Sequence, residues 1–203
     1  MRIKKILMAT VIGMVAYALG GCSSTKITRV EPAKTIDLSG RWNDTDSRLV
    51  AEEMISDCLQ RPWINHFNER NNRDPVVIVG IITNRSHEHI DAQLFVEDLE
   101  QSLINSGKVK FVASKQERLG VRDERDEQSQ GYTDKDTIKK KGKETGADFM
   151  IIGSVNSIKD ETKGKYVILY QVNLELVDLE NNQKVWIGQK EIKKMVQKSK
   201  YSL

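Results

Sequence analysis

The sequence predicts a single α/β domain of the α+β kind: a mixed sheet of about five strands with helices packed on it. Two patterns carry that expectation. From Pro75 the run Val76-Val77-Ile78-Val79-Gly80-Ile81-Ile82 is almost wholly β-branched, then Ala92, Phe95, Val96, Leu99 and Leu103 recur at helical spacing, and Lys108 to Ala113 reads as a second strand. Strand, helix and strand in that order form a βαβ unit, whose crossover is expected to be right-handed. Later, Lys165 to Val177 alternates, with Val172, Leu174 and Leu176 one way and Gln171, Asn173 and Glu175 the other, the mark of an antiparallel strand with one wet face.

The remaining elements follow in chain order. From Asp44, Val50, Ala51, Met54, Ile55 and Cys58 share a helix face, with Asp44 and Asp46 as candidate N-caps. Cys58 on that face reads as a small buried hydrophobe. Pro62 suits the first turn of a short second helix to Glu69, on which Trp63 and Phe67 lie four apart. The unbroken apolar run after Pro75 predicts a strand buried on both faces, ending before a polar loop, Thr83 to His89. Asp91 caps the start of the next helix and Gly107 its end. Ser114-Lys115-Gln116-Glu117 is a capping box, and Arg122 to Glu127 beyond it is wholly charged, a solvated helix end or loop. Thr133 to Thr145 has acids early and lysines late, which favours a helix, although Ile138 is its one large apolar residue. Ala147 to Ile158, containing Phe149-Met150-Ile151-Ile152-Gly153, predicts another buried strand. Glu180-Asn181-Asn182 marks a turn, and Lys184 to Gln189 a last strand with Trp186. The lysine-rich end from Lys190 reads as a frayed tail or short helix. The expected core unites Val77, Val79, Ile81, Phe149, Ile151 and Leu174.

At the N-terminus, Arg2, Lys4 and Lys5 precede an uncharged run from Ile6 to Leu19 and then Gly20-Gly21-Cys22, the order of a cleaved export signal. The run is about 14 residues, short of the ~20 a membrane-spanning helix needs. Leu19-Gly20-Gly21-Cys22 resembles the bacterial lipobox, which implies that Cys22 becomes the acylated first residue of the mature chain. An ordinary secretory signal or an N-terminal membrane helix is the alternative. Ser23 and Ser24 follow the cysteine with no aspartate, which in a Gram-negative cell resembles lipoproteins sent to the outer membrane. The expected organisation is a signal at 1–21, a tether at 22–40 with Pro32 its one proline, a globular domain at 41–192 and a tail at 193–203. Fully extended, about 20 tether residues reach at most ~70 Å.

Removing the signal takes three of the 32 basic residues and no acid, leaving 29 basic against 29 acidic. That balance gives no global field for nucleic acid. With Cys22 lipidated, Cys58 is the one remaining thiol and no internal disulfide can form. The histidines are His66, His87 and His89. His87 and His89 flank Glu88 in the polar loop, but two histidines fall short of a zinc ligand set, so no metal or other cofactor is expected. No nucleophile elbow, phosphate loop, Cys–His pair or recognisable pair of catalytic carboxylates occurs. Lys139-Lys140-Lys141 sits among acids and reads as a solvated face. The residues point to a binding or scaffold domain without small-molecule substrate; an unrecognised periplasmic hydrolase is the enzyme alternative.

Several short stretches, in order, resemble one family: Ser39-Gly40-Arg41-Trp42-Asn43-Asp44-Thr45-Asp46, Ala51-Glu52-Glu53-Met54, Pro62-Trp63, Pro75 to Gly80 with Asn84-Arg85, Ser106 to Val112, and Gly146-Ala147-Asp148-Phe149. Together with the lipobox, the chain from about 39 to 190 is similar to the LpoB family of outer-membrane lipoproteins that activate penicillin-binding proteins. The resemblance implies a fold similar to the N-terminal domain of TolB. It also implies a non-enzymatic role: docking on a bifunctional inner-membrane penicillin-binding protein to raise peptidoglycan synthesis. A TolB- or CsgG-like component of an outer-membrane assembly or secretion complex is the second reading. Loops beyond the carboxyl ends of strands tend to carry function in open α/β sheets. The expected partner-binding residues are therefore Asn84 and Arg85, against the plainer role of shaping the turn.

Overall fold

A computed structural model describes residues 27–32 and 34–197. Residues 1–26, with the signal and Cys22, and 198–203 lie outside them. The chain divides into two units, one up to Lys34 and one from Thr35 on; in the first, the Lys34 N–H donates to the Glu31 carbonyl at 3.0 Å. Among the described residues, the unit from Thr35 on carries the helices and the sheet.

Its elements run α1 (Asp44–Leu59), α2 (Trp63–Asn71), β1 (Val76–Arg85), α3 (Ala92–Asn105), β2 (Lys110–Phe111), α4 (Lys115–Gln128), β3 (Phe149–Thr162), β4 (Lys165–Asp178) and β5 (Lys184–Gln197). The five strands form one mixed sheet in the order β2-β1-β3-β4-β5. β1 pairs in parallel with β2 and β3, and β3, β4 and β5 form an antiparallel meander. The βαβ unit and the later meander are thus both present, as their hydrophobic periods predict.

Helix starts follow local chemistry. The N-cap of α1 is Asn43, ahead of both expected aspartates, Asp44 and Asp46; Asp46 instead completes a capping box by accepting the Asn43 N–H at 3.0 Å. Asp91 caps α3 and Ser114 with Glu117 caps α4, as expected. Gly107 takes φ +64 just past α3, the left-handed geometry of a helix end. The expected helix over Thr133–Thr145 is absent: these residues form turns, with Gly142 at φ +74. With Ile138 alone to bury, a helix there has no apolar stripe to pack.

The core lies between the sheet and α1, α2 and α3. Val50, Ala51, Met54, Ile55 and Cys58 of α1 and Phe95, Leu99 and Leu103 of α3 meet Val77, Val79, Phe149, Ile151, Leu174 and Leu176. The Trp63 and Phe67 rings pack edge-on against Phe149 at 4.9 and 5.4 Å, and the Trp63 indole N–H donates to the Cys58 carbonyl at 2.8 Å. Burial pushes the Cys58 thiol up to about 12, which leaves it protonated and unreactive at neutral pH.

Ile81 departs from the expected core. It is 78% exposed, while Ile82 is buried. The cause is a bulge: Val79 pairs with Ile151 but Ile82 with Gly153, so β1 carries one extra residue and its facing pattern inverts. Gly80 sits in the bulge, where a Cβ would lie 2.7 Å from the Met150 sulfur. β1 is accordingly buried on both faces only over Val76–Val79. It also runs on through Arg85, so Thr83, Asn84 and Arg85 belong to the strand and the loop starts at Ser86.

β2 is shorter than the expected Lys108–Ala113, although the Val112 N–H still reaches the Val77 carbonyl at 3.2 Å. At the other edge, the part of the lysine-rich end from Lys190 to Gln197 is strand rather than frayed or helical: β5 continues to Gln197, past the expected boundary at 192. Alternation explains it. Lys190 and Lys194 turn to carboxylates, Lys190 to Glu53 at 2.6 Å and Lys194 to Asp46 at 2.5 Å.

Candidate functional site

The sequence singled out the segment after β1, and it folds as a tightly bonded turn. Asn84, half-buried at the strand end, donates from Nδ2 to the Glu88 carbonyl at 2.9 Å. Its Oδ1 accepts the Ser86 N–H at 2.9 Å and the Ser86 hydroxyl at 2.7 Å. The Glu88 N–H in turn donates to Ser86 Oγ at 3.2 Å. Even positions 84, 86 and 88 therefore face inward, and odd positions 85, 87 and 89 are exposed.

Glu88 is the inner anchor. Its Oε2 accepts the Tyr170 hydroxyl at 2.8 Å and the Trp42 backbone N–H at 3.4 Å. Burial and the adjacent Glu88 carboxylate raise the Tyr170 pKa. The Trp42 ring packs edge-on against Phe95 and Tyr170, at 6.3 and 5.5 Å. Sequence reasoning placed Glu88 between two histidines and gave it no role. The strict alternation of small or acidic residues with Arg and His in this loop was the signal available.

On the outside, Arg85 is exposed, and its side chain makes no hydrogen bond or ion pair among the described residues. It heads a polar row across four strands, Arg85–Asn156–Gln171–Glu191, on the open face of the sheet. Gln171 Nε2 donates to Glu191 Oε1 at 3.2 Å. Further along that face the expected wet surface turns apolar, with Ile158, Val167, Leu169 and Met195 in facing positions. The structure thus separates the two predicted residues: Asn84 builds the turn and Arg85 projects from it.

The other candidates do not converge. His87 Nδ1 lies 2.9 Å from Ser157 Oγ, but no carboxylate orients the ring among the described residues, so the third member of a nucleophilic triad is missing. His66 is on α2, lining a cleft with Trp63 and Phe149 at the opposite end of β3. No three His, Cys, Asp or Glu side chains gather to hold a metal ion among the described residues. Within the lysine run, Lys141 pairs with Asp126 at 2.6 Å. No helix among the described residues is long and apolar enough to cross a membrane.

Comparison with known proteins bears on this arrangement. A family model described as the peptidoglycan-synthase activator LpoB matches residues 46–192. No curated protein sequence matches the chain. Among solved structures, the C-terminal domain of LpoB from Escherichia coli aligns with TM-score 0.46 and 18% identity over 72% of this chain and 98% of that one. The corresponding domain from Salmonella enterica aligns with TM-score 0.40 and 16% identity, over the same shares of the two chains. Lipoprotein GNA1162 from Neisseria meningitidis aligns with TM-score 0.38 and 14% identity, over 60% of this chain and 83% of that one.

Proposed function

The chain belongs to the LpoB family, and on that footing we propose that it is a lipoprotein activator of peptidoglycan synthesis. In this reading Cys22 carries the lipid, the protein sits in the outer membrane facing the periplasm, and the domain docks on a bifunctional penicillin-binding protein of the inner membrane. It catalyses nothing itself; it raises the activity of the synthase. The observation that carries the proposal is the family match across residues 46–192, which spans the whole sheet to the middle of β5.

Arg85 supports a docking surface at the end of β1. Its guanidinium offers several directed bonds, is paired with nothing among the described residues, and stands at the end of β1 beside a turn that Asn84 and Glu88 hold in one shape. Arginine, with its planar fork of several donors, is a frequent interface hot spot. Asn84 serves the same surface from inside, as the residue that orients it.

The test combines melting with stimulation of purified bifunctional penicillin-binding proteins from the source cell. Arg85→Ala should leave the melting temperature unchanged and weaken binding by roughly 30-fold, the scale of a ~2 kcal/mol hot spot. Full stimulation by a normally folded Arg85→Ala protein would remove Arg85 from the docking surface. Cys22→Ser should release the protein from the outer membrane, since stable anchoring needs two or more acyl chains. Unchanged fractionation would refute the anchor.

A further inference from the structure

The stretch Asp37–Asn43, the last part of the chain before α1, lies across the far ends of β4 and β5 and is fastened at several points. Lys194 grips it from below. This ammonium is on a side chain only 9% exposed, 2.5 Å from Asp46 Oδ2 and 2.9 Å from Asp37 Oδ2, and it donates to the Arg41 carbonyl at 3.0 Å. The Tyr166 hydroxyl donates to the Ser39 carbonyl at 2.7 Å. Gly40, at φ +69, passes so close to β5 that a Cβ would meet Val196 Cγ2 at 2.1 Å. At the other end of the stretch the Trp42 N–H is shared between the Tyr170 hydroxyl, at 3.1 Å, and Glu88.

These bonds make one continuous path. It runs from Asp37 and Lys194 through the Arg41–Trp42 peptide to Glu88, and from Glu88 through Ser86 and Asn84 to Arg85. A buried ammonium is tolerated only while its carboxylates and carbonyl stay in place. In this structure the stretch is seated, held by all of these bonds at once.

We propose that Asp37–Asn43 is a coupling strap: seated, it holds Glu88 inward and fixes the turn that displays Arg85; lifted, it frees Glu88 and lets that turn loosen. Because the strap is the chain's route toward Cys22, a pull from the N-terminal side acts on the same bonds. The consequence for docking rests on the reading of Arg85 above; the coupling itself does not. Coupling of this kind is reciprocal, so loosening the turn must also loosen the strap.

Amide hydrogen exchange in the full chain tests it, with the N–H groups of Trp42, Ser86 and Glu88 as reporters and those of Val77 and Val79 as core controls. Tyr166→Phe removes one neutral hydrogen bond from the strap and should speed Trp42 exchange about fivefold. Ser86 and Glu88 should follow by a similar factor while the controls hold. Lys194→Met should give the same pattern at least tenfold, and Glu88→Ala should speed Trp42 in return. Faster exchange at Trp42 with wild-type rates at Ser86 and Glu88 would overturn the coupling, as would a Trp42 rate indifferent to Glu88→Ala. If Lys194→Met fails to fold, Tyr166→Phe and Glu88→Ala decide alone. No synthase enters the assay, so failure of the docking reading and failure of the coupling are told apart.

Discussion

Helices α3 and α4 are each 14 residues long and properly capped, yet they sit in opposite physical regimes. Phe95, Leu99 and Leu103 of α3 are fully or almost fully buried against β1 and α1. No residue of α4 is buried. Its two aliphatic side chains, Leu119 and Val121, are two apart and cannot share a helix face. Ion pairs fasten it instead: Arg122 and Arg125 both reach Glu144, at 2.8 and 2.7 Å. A capping box and paired charges thus suffice to make a helix, but only an apolar stripe ties one to the core.

The sharpest way to break this contrast is to cut into the α3 side. Ile151→Ala leaves a cavity among residues that cannot collapse into it and should cost about 2–5 kcal/mol. At roughly 2–4 °C per kcal/mol for a domain of this size, melting should fall by about 4–20 °C in calorimetry. Unchanged melting would mean that Ile151 is not central.

A smaller effect is expected where the two regions join. Asp148, the last residue before β3, takes a bidentate bond from Arg73 at 2.6 and 2.7 Å and accepts the Val76 N–H at 2.8 Å. Burial alone would raise its pKa, but Arg73 and the Val76 N–H outweigh that and hold it below the ordinary value. A lowered folded pKa stabilises above the unfolded value, about 3.9, and the contribution is lost as pH falls through the folded one. Asp148→Asn should therefore cost about 1–2 kcal/mol at pH 7, and the cost should shrink as pH falls below about 3.9. A loss that does not change with pH would refute an ionised role.

The smallest global effect belongs to α4. The hydrogen bond from Arg122 leads in holding the Glu144 carboxyl down at about 2, with Arg125 assisting. Its contribution is present above about pH 4.3, the unfolded value, and fades as pH falls toward 2. Glu144→Gln should barely move global melting, because exposed pairs contribute little. It should instead speed amide exchange over residues 115–147 and weaken, without abolishing, the salt dependence of that exchange, since the Lys141–Asp126 pair remains. A drop in melting like that of Ile151→Ala would erase the distinction between the two helices.

Much of the architecture was legible in the chain because its causes are local. Alternation at period two in β4, helical spacing in α3, and the caps at Ser114 and Asp91 each act within a few residues. The candidate site was half legible: Asn84 and Arg85 stood out as polar residues after a buried strand, but not which of them faces inward. That was set by Glu88, whose partner Tyr170 is 82 positions away. Likewise Lys194, read as part of a loose basic tail, is fixed by Asp46, 148 positions distant. The same holds for Ile81 and Ile82. Their residue types are identical, and only the bulge opposite Ile151–Gly153 decides which is buried. Sequence determined the elements, since backbone propensity and periodicity are properties of neighbours. Tertiary structure decided facing, pairing of charges and seating of the strap, since burial and ion pairing depend on what distant parts of the chain bring alongside.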